Sequence, residues 1–537
     1  MTATAADSEV DVLVVGAGLG GLATTMFLAR LGVRVLMAEK HPTTSIHPRA
    51  IGQNPRTMEL LRIGGIAEQV QQATDHRGAK GHFTTRVAET VRGEVLDTFE
   101  EGFDHLVATT APCSPMPWAL AWQDQLEPLM LARAVEDGAR VRFGTELVSY
   151  EQDAHGVTAV LRDRGSDARS TVRARYLVAA DGDSSPIREG LGIARHGHGS
   201  LSHVVGMIFE ADLSEILTSD ASGLYYLRNP HFTGIFIGSD RPERHTFLVE
   251  YHPERGESAD DFTPARCVEL IRTGLDAPDL DPGVLDVQRW EMAARIAERW
   301  RAGRVFLVGD SAKVIPPTGG LGGNTAIGDG YDLAWKLSSV LTGRAGQGLL
   351  DSYEPERKLV AQLVMDESMH LYASRLAPHL QDRTAEPVGY AEAILGFRYR
   401  SDAVVIDDDD TARVESPARP TGRPGFRMPH VWLRRAGERI STVDLSGSGW
   451  LLMTGADGAP WTGWARRASD ELGVPLTVHG PAVDVSDPDG ELAERFGIGT
   501  QGASLIRPDG IVAWRTATRP EHPARTLRDV LARVLSR

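Results

Sequence analysis

Apolar residues run unbroken from Val12 to Val15, stop at a glycine cluster, and continue at small-residue and leucine spacing into a second run, Val33 to Ala38. That order predicts strand, tight turn, helix, strand. Met58, Leu60, Leu61 and Ile63 then repeat at helical spacing until Gly64-Gly65 ends the helix, and Leu126, Leu129, Met130 and Ala134 mark another. From about Asp75 to Ala111 short apolar and polar runs alternate, which predicts strands and turns. Val141–Phe143 and Glu146–Tyr150 read as strands, and GVTAVLRDRGSDARSTVRARYLVAA as a hairpin leading into another. From about Gly197 to Trp290, β-branched and aromatic residues recur in short runs cut by Gly, Pro and Asp, the pattern of a separate antiparallel sheet. The chain then returns to a strand, Val305 to Val308, and to a helix with Ala326, Leu333, Ala334 and Leu337 on its apolar side. A Pro/Gly-rich stretch with four aspartates, Asp407 to Asp410, predicts a solvated linker, and the last segment has its own strand and helix pattern.

Composition narrows the class. A chain of 537 residues exceeds one core and predicts two to four domains. A net charge of -16 disfavours nucleic acid and anionic membranes as partners, since phosphate binding needs clustered Lys and Arg. No apolar run is long enough to span a bilayer and no secretory signal opens the chain, so a cytoplasmic location is expected. Cys113 and Cys267 lie far apart without a CxxC, which excludes a dithiol centre and a zinc–thiolate cluster; no metal is expected.

The first strand ends at Gly16-Ala17-Gly18-Leu19-Gly20-Gly21, a GxGxxG turn. Its glycines permit the turn, the approach of backbone to a pyrophosphate, and close helix packing, while the helix N-terminus presents bare N–H groups to the phosphates. Glu39, roughly twenty residues on, stands where a carboxylate accepts from adenosine ribose hydroxyls, so a dinucleotide, NAD or FAD, is expected. Arg49 and Gln53 lie where the following loop returns to the nucleotide fold, and Gln123 either caps its helix or faces a ligand. A later strand runs into Asp181-Gly182-Asp183-Ser184-Ser185-Pro186-Ile187-Arg188, with Ser185 and Arg188 placed to brace the turn. A third strand stops at Gly309-Asp310, and after Pro316-Pro317 a second glycine run, Gly319 to Asn324, opens a long helix whose N–H groups suit a second negative centre.

GAGLGGL…E, DGxxSxxR and GD…PPxGGxGxN in this order resemble the class A flavoprotein aromatic hydroxylases, and within them the bacterial polyketide hydroxylases that act on anthracycline aglycones; the likeness covers about Val10 to Arg537. It implies an α/β, FAD-binding Rossmann-like fold of the para-hydroxybenzoate hydroxylase kind, with an inserted antiparallel β substrate domain and a C-terminal thioredoxin-like domain. The implied division is 1-75, 101-190 and 291-395 for FAD, 76-100 and 191-290 for substrate, 396-424 as linker and 425-537 as the thioredoxin-like unit. The implied cofactor contacts are Gly16, Gly18, Leu19, Gly20 and Gly21 on the pyrophosphate, Glu39 on the ribose, Arg49 and Gln123 toward the flavin, Asp310 on the ribityl chain, and Gly322, Gly323 and Asn324 along the pyrimidine edge, with Lys40, Gln53 and Pro317 as further cofactor-binding candidates. Lys313 departs from the histidine many relatives carry, so no role transfers to it.

The resemblance further implies FAD as bound cofactor, NAD(P)H as a transient reductant, and transfer of one oxygen of O₂ from the flavin C4a position to an electron-rich aromatic polyketide. A phenolate accepts that oxygen faster than a phenol. Tyr225 and Tyr226 point to opposite faces of one strand; Tyr226 is favoured as the ligand-facing one, with Arg375 as a permanent cation for a phenolate. These two are the catalytic candidates. Baeyer–Villiger-type oxygen insertion, and a flavin-containing polyketide-binding protein without turnover, are the alternatives. A monomer or homodimer is expected.

Overall fold

The computed structural model describes residues 8–46, 50–74, 84–98, 103–217, 223–239, 241, 244–447 and 449–537. Two eight-stranded sheets and a smaller four-stranded one organise the chain. The first sheet holds the expected nucleotide fold. Its parallel strands lie in the order Val305–Leu307, Arg169–Ala179, Ser8–Val15, Val35–Ala38, Arg140–Arg142, in register from Leu177 with Val305 to Ala38 with Arg142. All four residues of Val12 to Val15 are buried, as a parallel strand covered on both faces requires. This order puts three strand ends side by side, so the turns at Gly16, Asp181 and Gly309, nearly 300 residues apart in sequence at the extremes, share one edge. Ligands bind at such an edge because the following helices start there.

The second sheet runs Lys313–Val314, Gly283–Ala297, Arg195–Glu210, His245–Tyr251, Phe232–Ile237, Gly223–Asn229, Thr84–Ala88, Val95–Thr98. Most pairs are antiparallel, but Gly223–Asn229 pairs in parallel with Thr84–Ala88, a strand from far earlier in the chain. One face packs on the helix Pro264–Leu275, which buries Cys267, Leu270 and Ile271 against Tyr225, Phe236 and Phe247. The other turns toward the nucleotide unit and carries Tyr226, Ile235, Val204 and Met292.

Two local expectations are corrected. Phe103–Thr110, within the stretch expected as strands and turns, is a helix that closes on the buried Cys113. Its alternating pattern is too short to separate the two periods. The aspartates at 407–410 are not merely solvated: Asp407 pairs with Arg515, Asp408 with Arg398 and Asp410 with Arg423. The stretch around them has no helix, yet Phe397, Arg398, Tyr399 and Val404 are buried and Phe397 bridges to Val414.

The C-terminal sheet, Leu476–His479, Trp450–Thr454, Ala503–Ile506, Val512–Thr516, pairs its first two strands in parallel and the rest antiparallel, flanked by Trp461–Leu472 and Pro523–Val534. Both cysteines are buried and unpaired. Among the described residues no helix is long and apolar enough to cross a membrane.

Candidate functional site

The glycines of the first turn divide by what surrounds them. Gly16 has φ +106°, and a Cβ there would lie 2.1 Å from Ala180 O; on Gly21 it would lie 2.0 Å from Gly16 O. Those two are fixed by the protein's own packing. A Cβ on Gly18 would meet nothing within 4 Å, so the protein's own packing does not call for glycine there. Gly20 lies against Gly309, where a Cβ would sit 3.4 Å from its backbone, and Leu19 against Gly323, whose added Cβ would come 2.8 Å from Leu19 Cδ1. The helices Leu19–Arg30 and Leu321–Leu341 thus start at the same place, with Gly319 and Gly320 left-handed at the second start. Two sets of free N–H groups converge there.

Glu39 is buried and tied to this loop: Ala17 N–H donates to Oε2 at 2.7 Å, and His41 N–H to Oε1 at 2.8 Å. Lys40 is exposed beside it. Gln53 is buried and locked on Ala121, donating from Nε2 to its carbonyl at 2.8 Å and accepting its N–H at 3.2 Å. Gln123 begins its helix, its N–H on Ala50 O, and its side chain donates to Glu127 at 2.6 Å. Arg49 lies outside the described residues. Asn324 braces the turn before Pro55–Ile63: Asn54 N–H donates to its Oδ1 at 3.0 Å, while its Nδ2 reaches Gly52 O and Gly320 O at 2.9 and 2.7 Å. Pro317, half-buried, takes Gly320 N–H on its carbonyl at 2.9 Å. Asp310 is exposed on the turn Gly309–Ser311. In the second motif Ser185 donates to Asp181 at 2.7 Å and receives Arg188 N–H at 3.1 Å, and the Arg188 side chain closes the turn on Asp183 O at 2.7 Å. Every described cofactor candidate except Lys40, Gln53 and Gln123 lines or directly frames the converging turns; those three stand on the adjoining loop and helix.

The sequence pattern did not reveal the charged chain beneath. Asp329, on Leu321–Leu341, accepts from Gly309 N–H at 3.3 Å, bonds Lys313 Nζ, and takes Arg357 Nε at 2.8 Å; Arg357 continues to Tyr399 OH at 2.8 Å and Thr325 O at 3.2 Å. All of these residues are buried, and burial pushes the Lys313 ammonium below the usual lysine range although Asp329 opposes it. A lysine in an otherwise apolar stretch was the one visible signal. Further along, Asp332, Glu356 and Asp509 bring carboxylate oxygens within 4.8 Å of one another. Arg507 already grips Glu356 at 2.6 and 2.8 Å and Asp509 at 2.6 Å, and Lys336 holds Asp332 and Glu356 at 2.8 and 2.7 Å, so the cations of this cluster are the protein's own.

On the second sheet Arg375, the last residue of the helix Tyr353–Arg375, donates to Tyr226 OH at 3.1 Å with its guanidinium 5.3 Å from the ring centre. Both are buried. Arg228, two residues along the same face, caps that helix end by donating to Ser374 O at 3.0 Å and to Arg375 O. The two catalytic candidates, 149 residues apart, are therefore in contact. Tyr225 points the other way into the core with Phe236.

Residues 9–368 match the FAD binding domain family and 421–537 the aromatic-ring hydroxylase C-terminal family. Aklavinone 12-hydroxylase RdmE of Streptomyces purpurascens is 58% identical over 533 residues, 99% of this chain and 100% of that one. Tetracenomycin B2 monooxygenase-dioxygenase of Streptomyces olivaceus is 40% identical over 98% and 99%. Among solved structures, a ternary complex of aklavinone-11 hydroxylase with FAD and aklavinone superposes with TM-score 0.95 at 58% identity, covering 99% and 100%. The rebeccamycin enzyme RebC with reduced flavin gives 0.80 at 30%, covering 98% of each chain. The chain belongs to the FAD-binding aromatic-ring hydroxylases. It is a flavin-dependent aromatic hydroxylase, a monooxygenase whose bound cofactor is FAD.

Proposed function

We propose that the chain hydroxylates a fused-ring aromatic polyketide, an anthracycline-type aglycone, using O₂ and NAD(P)H. What carries the reading is the buried Tyr226–Arg375 pair on a sheet face turned toward the cofactor unit, in a chain 58% identical over its length to an aklavinone 12-hydroxylase. Bound FAD supplies electron transfer and oxygen activation. The residues do the rest. The amides at Gly18 to Gly21 take the phosphates, with Glu39 and Lys40 at the ribose, Asp310 at the ribityl chain, and Arg49, Gln53 and Gln123 on the loop and helix that approach the flavin. Gly322, Gly323 and Asn324, following Pro317, set a helix N-terminus against negative charge on the ring's pyrimidine edge. Tyr226 and Arg375 hold a substrate oxygen as an anion, which raises the electron density of the ring to be attacked. The domain division 1–75, 101–190 and 291–395 for FAD, 76–100 and 191–290 for substrate, 396–424 connecting and 425–537 C-terminal belongs to the same reading, as does a cytoplasmic monomer or homodimer, where NAD(P)H is at hand.

NADPH oxidation with aklavinone, and the mass of the product under ¹⁸O₂, test it. A product heavier by one labelled oxygen with its ring carbonyls intact is expected; a lactone would favour Baeyer–Villiger insertion, and no stimulation would favour a binder without turnover. Tyr226→Phe and Arg375→Ala are each expected to lower turnover about 10- to 100-fold, the loss of a charge-assisted hydrogen bond of roughly 1.5–3 kcal/mol. Unchanged turnover and pH profile in both would remove the pair from the mechanism.

A further inference from the structure

The sheet face beneath the end of Tyr353–Arg375 carries a second polar contact that the reading above does not use. Strand register puts Tyr226, Ile235 and Leu248 in one row across three strands, and Glu250, two residues beyond Leu248 and paired with Val204, on the same face. A narrow cleft lies there, walled by Val204, Ile235, Leu248, Met292 and Leu376. Glu250 is the one ionisable side chain among its described lining residues. The helix above touches the face twice, one turn apart: Arg375 on Tyr226 at 3.1 Å, and Tyr372 OH toward Glu250 at 3.5 Å. From Tyr226 to Glu250 the face spans two strand spacings across and two residues along, roughly 12 Å, with apolar wall between, the length of a flat polycycle with a polar group at each end.

No lysine or arginine among the described residues pairs with Glu250. A half-buried acid by an apolar wall, with only His252 near it as a counter-charge, is costly to ionise, and such groups gather at working sites. We propose that Glu250 accepts the proton of an acidic hydroxyl on the substrate. The substrate O–H bond breaks, an O–H bond forms on the Glu250 carboxylate, and the electron pair stays on the substrate oxygen; nothing is oxidised or reduced. The conjugated ring spreads that charge toward Arg375 at the other end of the cleft. The groups facing Glu250 are Ser202 on the neighbouring strand, His252 at the end of its own strand and Tyr372 on the helix. Burial pushes the carboxyl above the usual glutamate range, and the hydrogen bond of Ser202, the charge of His252 and the Tyr372 hydroxyl pull less strongly the other way. A base moved toward neutrality transfers protons more effectively at neutral pH than a surface glutamate.

The inference rests on the hydroxylase reading, and the test separates the two. Holoenzyme, Glu250→Gln and Glu250→Asp are compared with aklavinone as probe, by absorption of the bound chromophore, whose phenolate absorbs to the red, and by NADPH oxidation across pH, with flavin content and melting temperature as folding controls. Wild type is expected to bind aklavinone ionised at a pH where the free compound is neutral, and to lose turnover as pH falls through the raised Glu250 pKa. Glu250→Gln should abolish the red shift and the acid limb and lower turnover about 100-fold, while Glu250→Asp keeps the limb. A Glu250→Gln protein with the red shift and acid limb of wild type overturns the proposal and leaves the hydroxylase reading standing. A wild type that neither binds aklavinone nor oxidises NADPH with it overturns both.

Discussion

Gly16 and Gly18 stand two residues apart in one turn and answer to different demands. Gly16→Ala puts a methyl 2.1 Å from a carbonyl oxygen at a positive φ, so the strand end or the turn must move. The expected result is poor folding, seen as a melting temperature several degrees lower or as insoluble protein. Gly18→Ala places the same methyl in open space. Its melting temperature as apoprotein should match wild type, while FAD affinity, measured by fluorescence quenching, falls at least tenfold. Equal FAD affinity would show that no phosphate comes near this residue. The spacing of the motif was visible in the chain, but the split between packing and ligand glycines was not, since it depends on Ala180, which reaches the turn from another strand.

At the scale of elements, the helix Leu321–Leu341 is set by charge as much as by its apolar side. Gly330 lets it approach the glycine-loop helix closely, where a Cβ would lie 2.7 Å from Thr24 N. Asp329 next to it joins Lys313, Arg357 and the Gly309 amide, and so fixes the third strand end against the second glycine turn. Replacing it by Asn leaves two buried cations short of a counter-charge. We expect Asp329→Asn to cost about 3–5 kcal/mol in urea unfolding, the range for breaking a buried pair by removing one partner, and to weaken FAD retention. Wild-type stability would mean that Lys313 and Arg357 find another partner. The helix period of this segment was legible from its leucines and alanines; an aspartate at a buried position was not, because its partners lie on a strand and on another helix.

Across the whole molecule the C-terminal unit is bolted on rather than tethered. Arg427 bonds Glu59 on the helix Pro55–Ile63 at 3.0 Å and reaches Cys113 O at 3.1 Å, and Arg56 crosses to Asp509 O at 2.6 Å. Burial alone would raise Glu59, but Arg427 and Arg56 hold it below the usual carboxylate range. Tyr331 OH donates to Pro508 O at 2.9 Å, and Arg507 carries the acid cluster described above. Near this seam His430 is buried on Ser441 Oγ at 2.7 Å; burial, with the charge of Arg427, lowers its pKa from 6.5 to about 4. The unfolded chain therefore takes up a proton at this residue between pH 7 and 4 that the folded chain refuses, so stability falls as pH falls through that window. The loss amounts to roughly 3 kcal/mol. Urea midpoints at pH 7 and pH 5 should differ less in His430→Asn than in wild type; an equal drop in both would place the acid sensitivity elsewhere.

The order of apolar runs and glycine turns was enough to determine the nucleotide fold and the inserted sheet, because period and turn chemistry are local properties that a strand or helix carries wherever it packs; FAD rather than NAD came from the resemblance of three motifs to a family, and the strand period said only that Tyr225 and Tyr226 face opposite ways. The sequence could not show that Tyr226 meets Arg375, that Asp329 collects two cations beneath the cofactor turns, that the aspartates at 407–410 are claimed by arginines, or that Glu250 sits by an apolar wall with Ser202, His252 and Tyr372 around it. Each of these depends on burial and on a partner more than a turn away, which only the packing of distant elements supplies. What a side chain's charge costs or does is decided by that environment rather than by its neighbours in the chain.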